Sequence, residues 1–235
     1  MVEQRRDAGN RRKGEISRLF GFAAIGLQAI PVRVDDERRI VVVAVSRAQA
    51  GPTTERVLTE QQEPQPTDAY GRSKLAAEQG LAELDLDWIA LRLVLVYGPG
   101  VKGNMAELVR VARSPYPLPV GGLTGRRSLL ALDNLAAAVG TVLSAPAPLR
   151  RPLIVTDPTP LTIPEMIAAL RRGLGRRPGL IPIPQCLLEA ALRASGRAEI
   201  AQRLAGSLVA DPAALTQLGW RPVVATVEGL AALTR

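Results

Sequence analysis

Tyr70-Gly71-Arg72-Ser73-Lys74 sets a phenol and an ammonium four residues apart, which is one face of a helix. An ammonium held beside a phenol favours the phenolate, and a phenolate can take a proton from a substrate hydroxyl near neutral pH. With a nicotinamide laid against the pair, hydride can leave the same carbon, which is alcohol–ketone chemistry. The same spacing also arises by chance on solvated helix faces, so the surrounding elements must decide. A catalytic hydroxyl for such a site comes from the end of a preceding buried strand. Ser46 ends the run Ile40-Val41-Val42-Val43-Ala44-Val45, 24 positions before Tyr70. Histidine is absent, which removes Ser-His-Asp and Cys-His mechanisms and nearly all zinc chemistry. Acid–base work therefore falls to Tyr, Lys, Asp or Glu. Cys186 is the single cysteine, so neither an intramolecular disulfide nor a thiolate metal cluster is expected, and its apolar neighbours read as packing around an inert thiol.

The elements that must position these groups are read from periodicity. Ile40 to Val45 is apolar at every position, as a strand covered on both faces of a parallel sheet requires. A polar loop over 47–66 follows, and Thr67 and Asp68 offer N-caps for a helix over 69–84. Trp88 to Val96 predicts a second buried strand, stopped by Tyr97-Gly98-Pro99-Gly100. Helices are expected over 104–113 and 134–143, the latter capped by Asp133 after a short strand at Leu129 to Leu132. Beyond Pro146 the texture changes: prolines cluster at 146, 148, 152, 158 and 160, and Leu153-Ile154-Val155 reads as a short strand. Thr162-Ile163-Pro164-Glu165 opens a capping-box helix, 180–184 is extended, and helices follow at 185–195, after Asp211-Pro212, and at 226–234. The predicted fold class is α/β, a partial doubly wound Rossmann-like parallel sheet with a smaller, mostly helical C-terminal lobe. Residues 1–38 are unassigned and expected to be partly disordered; 39–145 form the C-terminal half of a Rossmann-like domain carrying the Tyr-x-x-x-Lys helix; 146–235 form the lobe that would bind substrate.

Composition narrows the function classes. The chain has 235 residues, 47% hydrophobic and only 3% aromatic, so aliphatic and alanine packing must build the core. No apolar run reaches the roughly 18–20 residues of a membrane span. Leu19 to Val32 follows a basic stretch as a signal peptide would, but it is broken by Gly21, Gly26 and Pro31 and lacks a small-x-small cleavage site, so a cytoplasmic protein is expected. The net charge of +8 is spread along the chain without RNA-binding aromatics or a zinc finger. It suits an anionic small substrate or an arginine-rich surface, and no nucleic-acid or membrane partner is expected.

Four segments together resemble the extended short-chain dehydrogenase/reductases, in the NAD-dependent epimerase/dehydratase group that includes UDP-glucose 4-epimerases. They are Ala69 to Lys74, Arg92 to Gly100, Arg126-Arg127-Ser128-Leu129-Leu130-Ala131-Leu132-Asp133-Asn134-Leu135, and Leu218-Gly219-Trp220-Arg221-Pro222. The resemblance covers about Arg38 to Arg235. It implies that Tyr70 is the acid/base, that Lys74 also holds the nicotinamide ribose, and that Ser46 hydrogen-bonds the substrate hydroxyl. It places Tyr97 and Pro99 at the turn beside the nicotinamide, and Asn104 against the sugar nucleotide. Arg126 or the adjacent Arg127 would bind the diphosphate, and surface charge is the competing account of both. The implied activity is hydride transfer at C4 of a nucleotide-diphosphate sugar, as a UDP-sugar 4-epimerase or a 4-keto-sugar reductase, with NAD as cofactor and no metal.

The resemblance also implies an opening strand and Gly-x-x-Gly-x-x-Gly turn, whose N–H groups meet the pyrophosphate. Nothing in residues 1–38 fits: Gly21 and Gly26 are wrongly spaced, and Gly9 and Gly14 lie in charged, strand-poor sequence. Weak or absent NAD binding is therefore expected of this chain. Two accounts stand, a truncated reading frame or a vestigial, non-catalytic relative that binds sugar nucleotide only. The edges and apolar faces of a partial sheet argue against a stable monomer, with a homodimer as the candidate assembly.

Overall fold

A computed structural model describes residues 29–34, 37–45, 56–66, 69–83, 85–146 and 148–235, the first two stretches by their backbone. The β-branched run in the first half of the chain becomes β2 (Glu37–Val45), and Ala29–Val34, unassigned from sequence, becomes β1. β3 (Asp87–Leu93) and β7 (Arg151–Val155) complete a sheet of order β1-β2-β3-β7. β2, β3 and β7 run parallel in the register Val41↔Ile89 and Ile89↔Arg151, while β1 is antiparallel to β2. β3 is buried at every position, including its two charged residues Asp87 and Arg92. Between β2 and β3 lies α1 (Ala69–Ala82), the parallel crossover that a strand–helix–strand alternation demands.

The strand expected over Trp88 to Val96 divides at Val94. β3 stays in the large sheet, and β4 (Leu95–Tyr97) leaves it to pair in parallel with β6 (Leu129–Ala131). Because every residue across the division is apolar, periodicity carries no mark of it. α2 (Gly103–Arg113) connects β4 towards β6, and β5 (Arg126–Arg127) pairs antiparallel with β8 (Leu161–Thr162). α3 (Leu132–Ser144) starts directly from β6, with Asp133 inside its first turn instead of capping it. The carboxylate there faces the helix's positive end, so the residue type is right and its position one turn-step late.

α4 (Ile163–Gly173) starts as its sequence predicts: Thr162 and Glu165 exchange hydrogen bonds in a complete capping box. α5 (Gln185–Ala194), α6 (Ala198–Ala205), α7 (Ala213–Gln217) and α8 (Thr226–Ala232) follow, of which α6 was not expected. Asp211 accepts a hydrogen bond from the N–H of Ala213 at 2.9 Å as α7 begins.

Two apolar clusters hold the elements together. One joins Ile89, Leu91, Leu153 and Val155 of the sheet to Val142 of α3 and to Leu215 and Trp220 near the C-terminus. The other joins Met105 and Val109 of α2 to Leu129, Met166, Leu170 and Leu230. Arg171 of α4 is buried in the second region, and its five guanidinium N–H groups all meet backbone carbonyls. They donate to Ala112 at 3.2 Å, Pro178 at 2.7 Å, Gly179 at 3.0 Å, Ser114 at 3.1 Å and Tyr116 at 2.8 Å. The negative end of the α2 dipole thus receives a buried cation, and the segments after α2 and α4 are tied to each other.

Candidate active site

The inward stripe of α1 is Gly71, Lys74, Ala77, Glu78 and Leu81, at helical spacing. A lysine in that stripe is unusual, because an ammonium resists desolvation. Lys74 is 2% exposed, and burial lowers its pKa from the ordinary lysine value. Its Nζ lies 5.1 Å from the ring centroid of Tyr70, whose phenol is 47% exposed. The two groups paired in the sequence are thus paired in space, the cation inside and the phenol at the surface. One turn further on, Glu78 meets Arg92 of β3 in a two-point ion pair, Nη2 to Oε1 at 2.6 Å and Nε to Oε2 at 3.2 Å, both side chains buried. A fork-to-fork contact of this kind holds both the height and the rotation of α1 on the sheet, and so fixes where Tyr70 and Lys74 sit. Ser46, the expected hydroxyl partner, lies outside the described residues.

The turn after β4 divides its two expected residues. Pro99 is exposed, whereas Tyr97 is buried and its hydroxyl lies 3.2 Å from Asp157 Oδ2 and 3.1 Å from the carbonyl of Thr226. Burial, followed by the charge of Asp157, pushes the Tyr97 phenol well above its usual range. Asp157 itself is buried, and accepts from the Ala131 N–H at 3.2 Å and from Asn134 Nδ2 at 2.7 Å. Asn134 is fully buried and completes its four bonds: Nδ2 also donates to Val224 O at 2.8 Å, and Oδ1 accepts from the N–H groups of Val223 and Val224 at 2.8 and 3.0 Å. This network ties the end of β4, the start of α3 and the chain entering α8 to one carboxylate. Sequence reasoning missed it. Asp157 stands beside Pro158 and Pro160, where aspartate reads as loop, and Asn134 reads as part of a helix start.

The same turn spells Gly98-Pro99-Gly100-Val101-Lys102-Gly103 between a strand and a helix, a Gly-x-Gly-x-x-Gly spacing that the sequence reading passed over. Its glycines do different jobs from those of a dinucleotide cradle. A Cβ on Gly98 would stand 2.9 Å from Leu132 Cβ, so that glycine permits close packing of the turn on α3. Gly100 and Gly103 have φ of +73° and +63° with open space around them, so they serve the reversal of the chain. In a dinucleotide fingerprint the third glycine admits close helix–strand packing, and Gly103 admits none.

Asn104 is exposed in the first turn of α2, where Lys102 at the N-cap makes no side-chain cap. Arg126 and Arg127 alternate across β5 and go opposite ways. Arg126 stays half exposed at the start of α4, donating to Pro160 O at 3.0 Å with Glu165 Oε2 at 3.9 Å. Hydrogen bonding from the Thr162 N–H, followed by the Thr162 hydroxyl and Arg126, holds the Glu165 carboxyl below its ordinary value against the opposing effect of burial. Arg127 donates instead to the carbonyl of Arg203 in α6.

Comparison with known proteins follows the same lines. Residues 30–155 match the model of the NAD dependent epimerase/dehydratase family. A UDP-glucose 4-epimerase of Vibrio cholerae is 32% identical over 170 residues, which is 70% of this chain and 52% of that protein. The chain therefore spans about half the length of this curated relative. Among solved structures, the Thermus thermophilus UDP-glucose 4-epimerase complex with NAD superposes with a TM-score of 0.60 at 23% identity, covering 83% of this chain and 62% of that one. The Bacillus cereus UDP-glucuronic acid 4-epimerase in complex with NAD gives 0.61 at 17% identity, covering 83% and 57%. These superpositions agree with the α/β architecture expected from the strand–helix alternation.

Proposed function

Because the chain belongs to the NAD-dependent epimerase/dehydratase family, we propose that it acts on a nucleotide-diphosphate sugar, as a UDP-sugar 4-epimerase or 4-keto-sugar reductase. The observation that carries the reading is the desolvated Lys74 ammonium lying over the half-exposed Tyr70 phenol. An ammonium withheld from water is a strong electrostatic partner for a neighbouring group, and the ring it lies over is that of Tyr70. Tyr70 then takes the proton of the sugar 4-hydroxyl and later returns one. Ser46 would orient that hydroxyl. Asn104 and Arg126, with Arg127 as the alternative, would hold the nucleotide diphosphate; a half-exposed guanidinium such as that of Arg126 can take a phosphate in two-point fashion. Residues 39–145 would carry the chemistry and 146–235 the sugar nucleotide.

The residues present fit one end of NAD. Tyr70 and Lys74 offer partners for the nicotinamide ribose, beside the exposed Pro99 turn, and NAD bound there supplies the acceptor and donor of hydride. Among the described residues the pyrophosphate end finds no glycine cradle, since Gly98 to Gly103 serve packing and chain reversal. That observation favours the second reading, a family member that binds sugar nucleotide without turnover.

One set of measurements separates the two: calorimetric titration with UDP-glucose and with NAD, and conversion of UDP-glucose to its C4 epimer with NAD supplied. The first reading expects turnover that falls by roughly 100-fold or more in Tyr70→Phe and Lys74→Met. UDP-glucose binding without NAD binding or turnover establishes the second. Binding of neither ligand refutes both.

A further inference from the structure

Helix α5 turns apolar side chains towards solvent. Its protein-facing positions are Gln185, Leu188, Glu189 and Leu192, each only half-buried, and none of its ten residues is buried. Cys186, Leu187, Ala190, Ala191 and Ala194 occupy the opposite side at helical spacing and are all exposed, Leu187 at 60%. An amphipathic surface helix is expected to show the reverse order. Ile181, on the extended segment that leads into α5, and Ile200 of α6, which packs beside α5, are each 45% exposed and enlarge the apolar surface.

The charge of the segment that contains this helix is one-sided. Between 171 and 203 the chain holds seven arginines, two glutamates and no lysine or aspartate, so five of its eight net positive charges fall within 33 residues. Arg171 is the buried one, and the other six are exposed. Both glutamates already face arginines, Glu189 with Arg193 at 2.8 Å and Glu199 with Arg203 at 3.8 Å. A surface this positive repels a second copy of itself. It suits a partner that offers dense negative charge and, a few ångströms beneath it, an apolar layer.

We infer that α5 and its flanks form a peripheral docking face for an anionic phospholipid surface. Leu187 and Ile181 enter the boundary between headgroups and acyl chains, while the long arginine side chains reach the lipid phosphates. The contact is in-plane, since no helix among the described residues is long and apolar enough to cross a membrane. The inference is independent of the reaction proposed above.

The test uses the full chain with extruded vesicles of phosphatidylglycerol mixed with phosphatidylcholine, or of phosphatidylcholine alone. Co-sedimentation is expected with the anionic vesicles and not with the neutral ones, and is expected to fall as salt is raised. Cys186, the single cysteine, is exposed and not packed as its apolar neighbours suggested, and accepts an environment-sensitive fluorophore whose emission should shift to the blue on binding. Leu187→Glu should reduce binding about tenfold or more with an unchanged melting temperature. Arg177→Gln with Arg197→Gln should reduce it roughly fivefold per arginine. Failure to bind anionic vesicles, equal binding to neutral ones, binding indifferent to Leu187→Glu, or a Leu187-dependent dimer in light scattering without vesicle binding would each overturn the inference.

Discussion

Asp157 is the carboxylate to which the end of β4, the start of α3 and the entry to α8 are all tied, and its replacements should separate hydrogen bonding from charge. In Asp157→Leu the Ala131 N–H and one hydrogen of Asn134 Nδ2 lose their acceptor in surroundings that are 4% and 0% exposed. Tyr97 keeps the carbonyl of Thr226 as acceptor, so it is not orphaned. Two stranded buried donors at about 1–3 kcal/mol each give an expected loss of about 2–6 kcal/mol. Asp157→Asn preserves the shape: its amide oxygen can accept from Ala131 and Asn134, and its NH2 can donate to Tyr97, whose proton then goes wholly to Thr226. That variant should lie within about 1 kcal/mol of the wild type near neutral pH. The pH dependence carries a definite sign. Burial raises the Asp157 pKa despite the hydrogen bonds that oppose it. Its protonated form is thus favoured by folding, a contribution fully present below the unfolded value of about 3.9 and lost as pH rises through the elevated folded value. The amide variant does not lose it, so Asp157→Asn should gain on the wild type between mildly acidic and neutral pH. Urea unfolding followed by circular dichroism at both pH values measures each difference. A gain of wild type over Asp157→Asn with rising pH, or a loss under about 1 kcal/mol in Asp157→Leu, refutes the reasoning.

Three other buried charges make comparable demands. Arg171→Ala removes five donors from backbone carbonyls, of which Ala112 O is the most deeply desolvated, and should cost about 3–5 kcal/mol in chemical denaturation. Arg171→Lys keeps the charge but at most three donors, and should recover only part of that loss. Removing Glu78 from its pair with Arg92 should cost about 3–5 kcal/mol, because the buried Arg92 guanidinium loses its carboxylate. Glu78→Leu combined with Arg92→Met should be more stable than either truncation alone, and a double-mutant cycle measures the coupling.

Where local pattern suffices, the sequence determined the outcome: the apolar run ending at Val45, the Tyr70/Lys74 helix, the Thr162–Glu165 capping box and the α/β alternation all lie within one or two turns of chain. The tertiary structure alone decided the rest, because those features depend on partners 14 to 129 positions away. The division of the expected strand at Val94 depends on which sheet each half meets, and the residues on both sides of it, Leu93 to Val96, are all apolar. The burial of Lys74 follows from the rotation of α1 that Glu78 and Arg92 impose, so the sequence could name the ammonium without saying that it is withheld from water. The family resemblance placed Tyr97 beside the nicotinamide, and its phenol lies inside, held by Asp157 and Thr226. A hydrogen-bond network has no period along the chain; only the fold brings its donors and acceptors to one place.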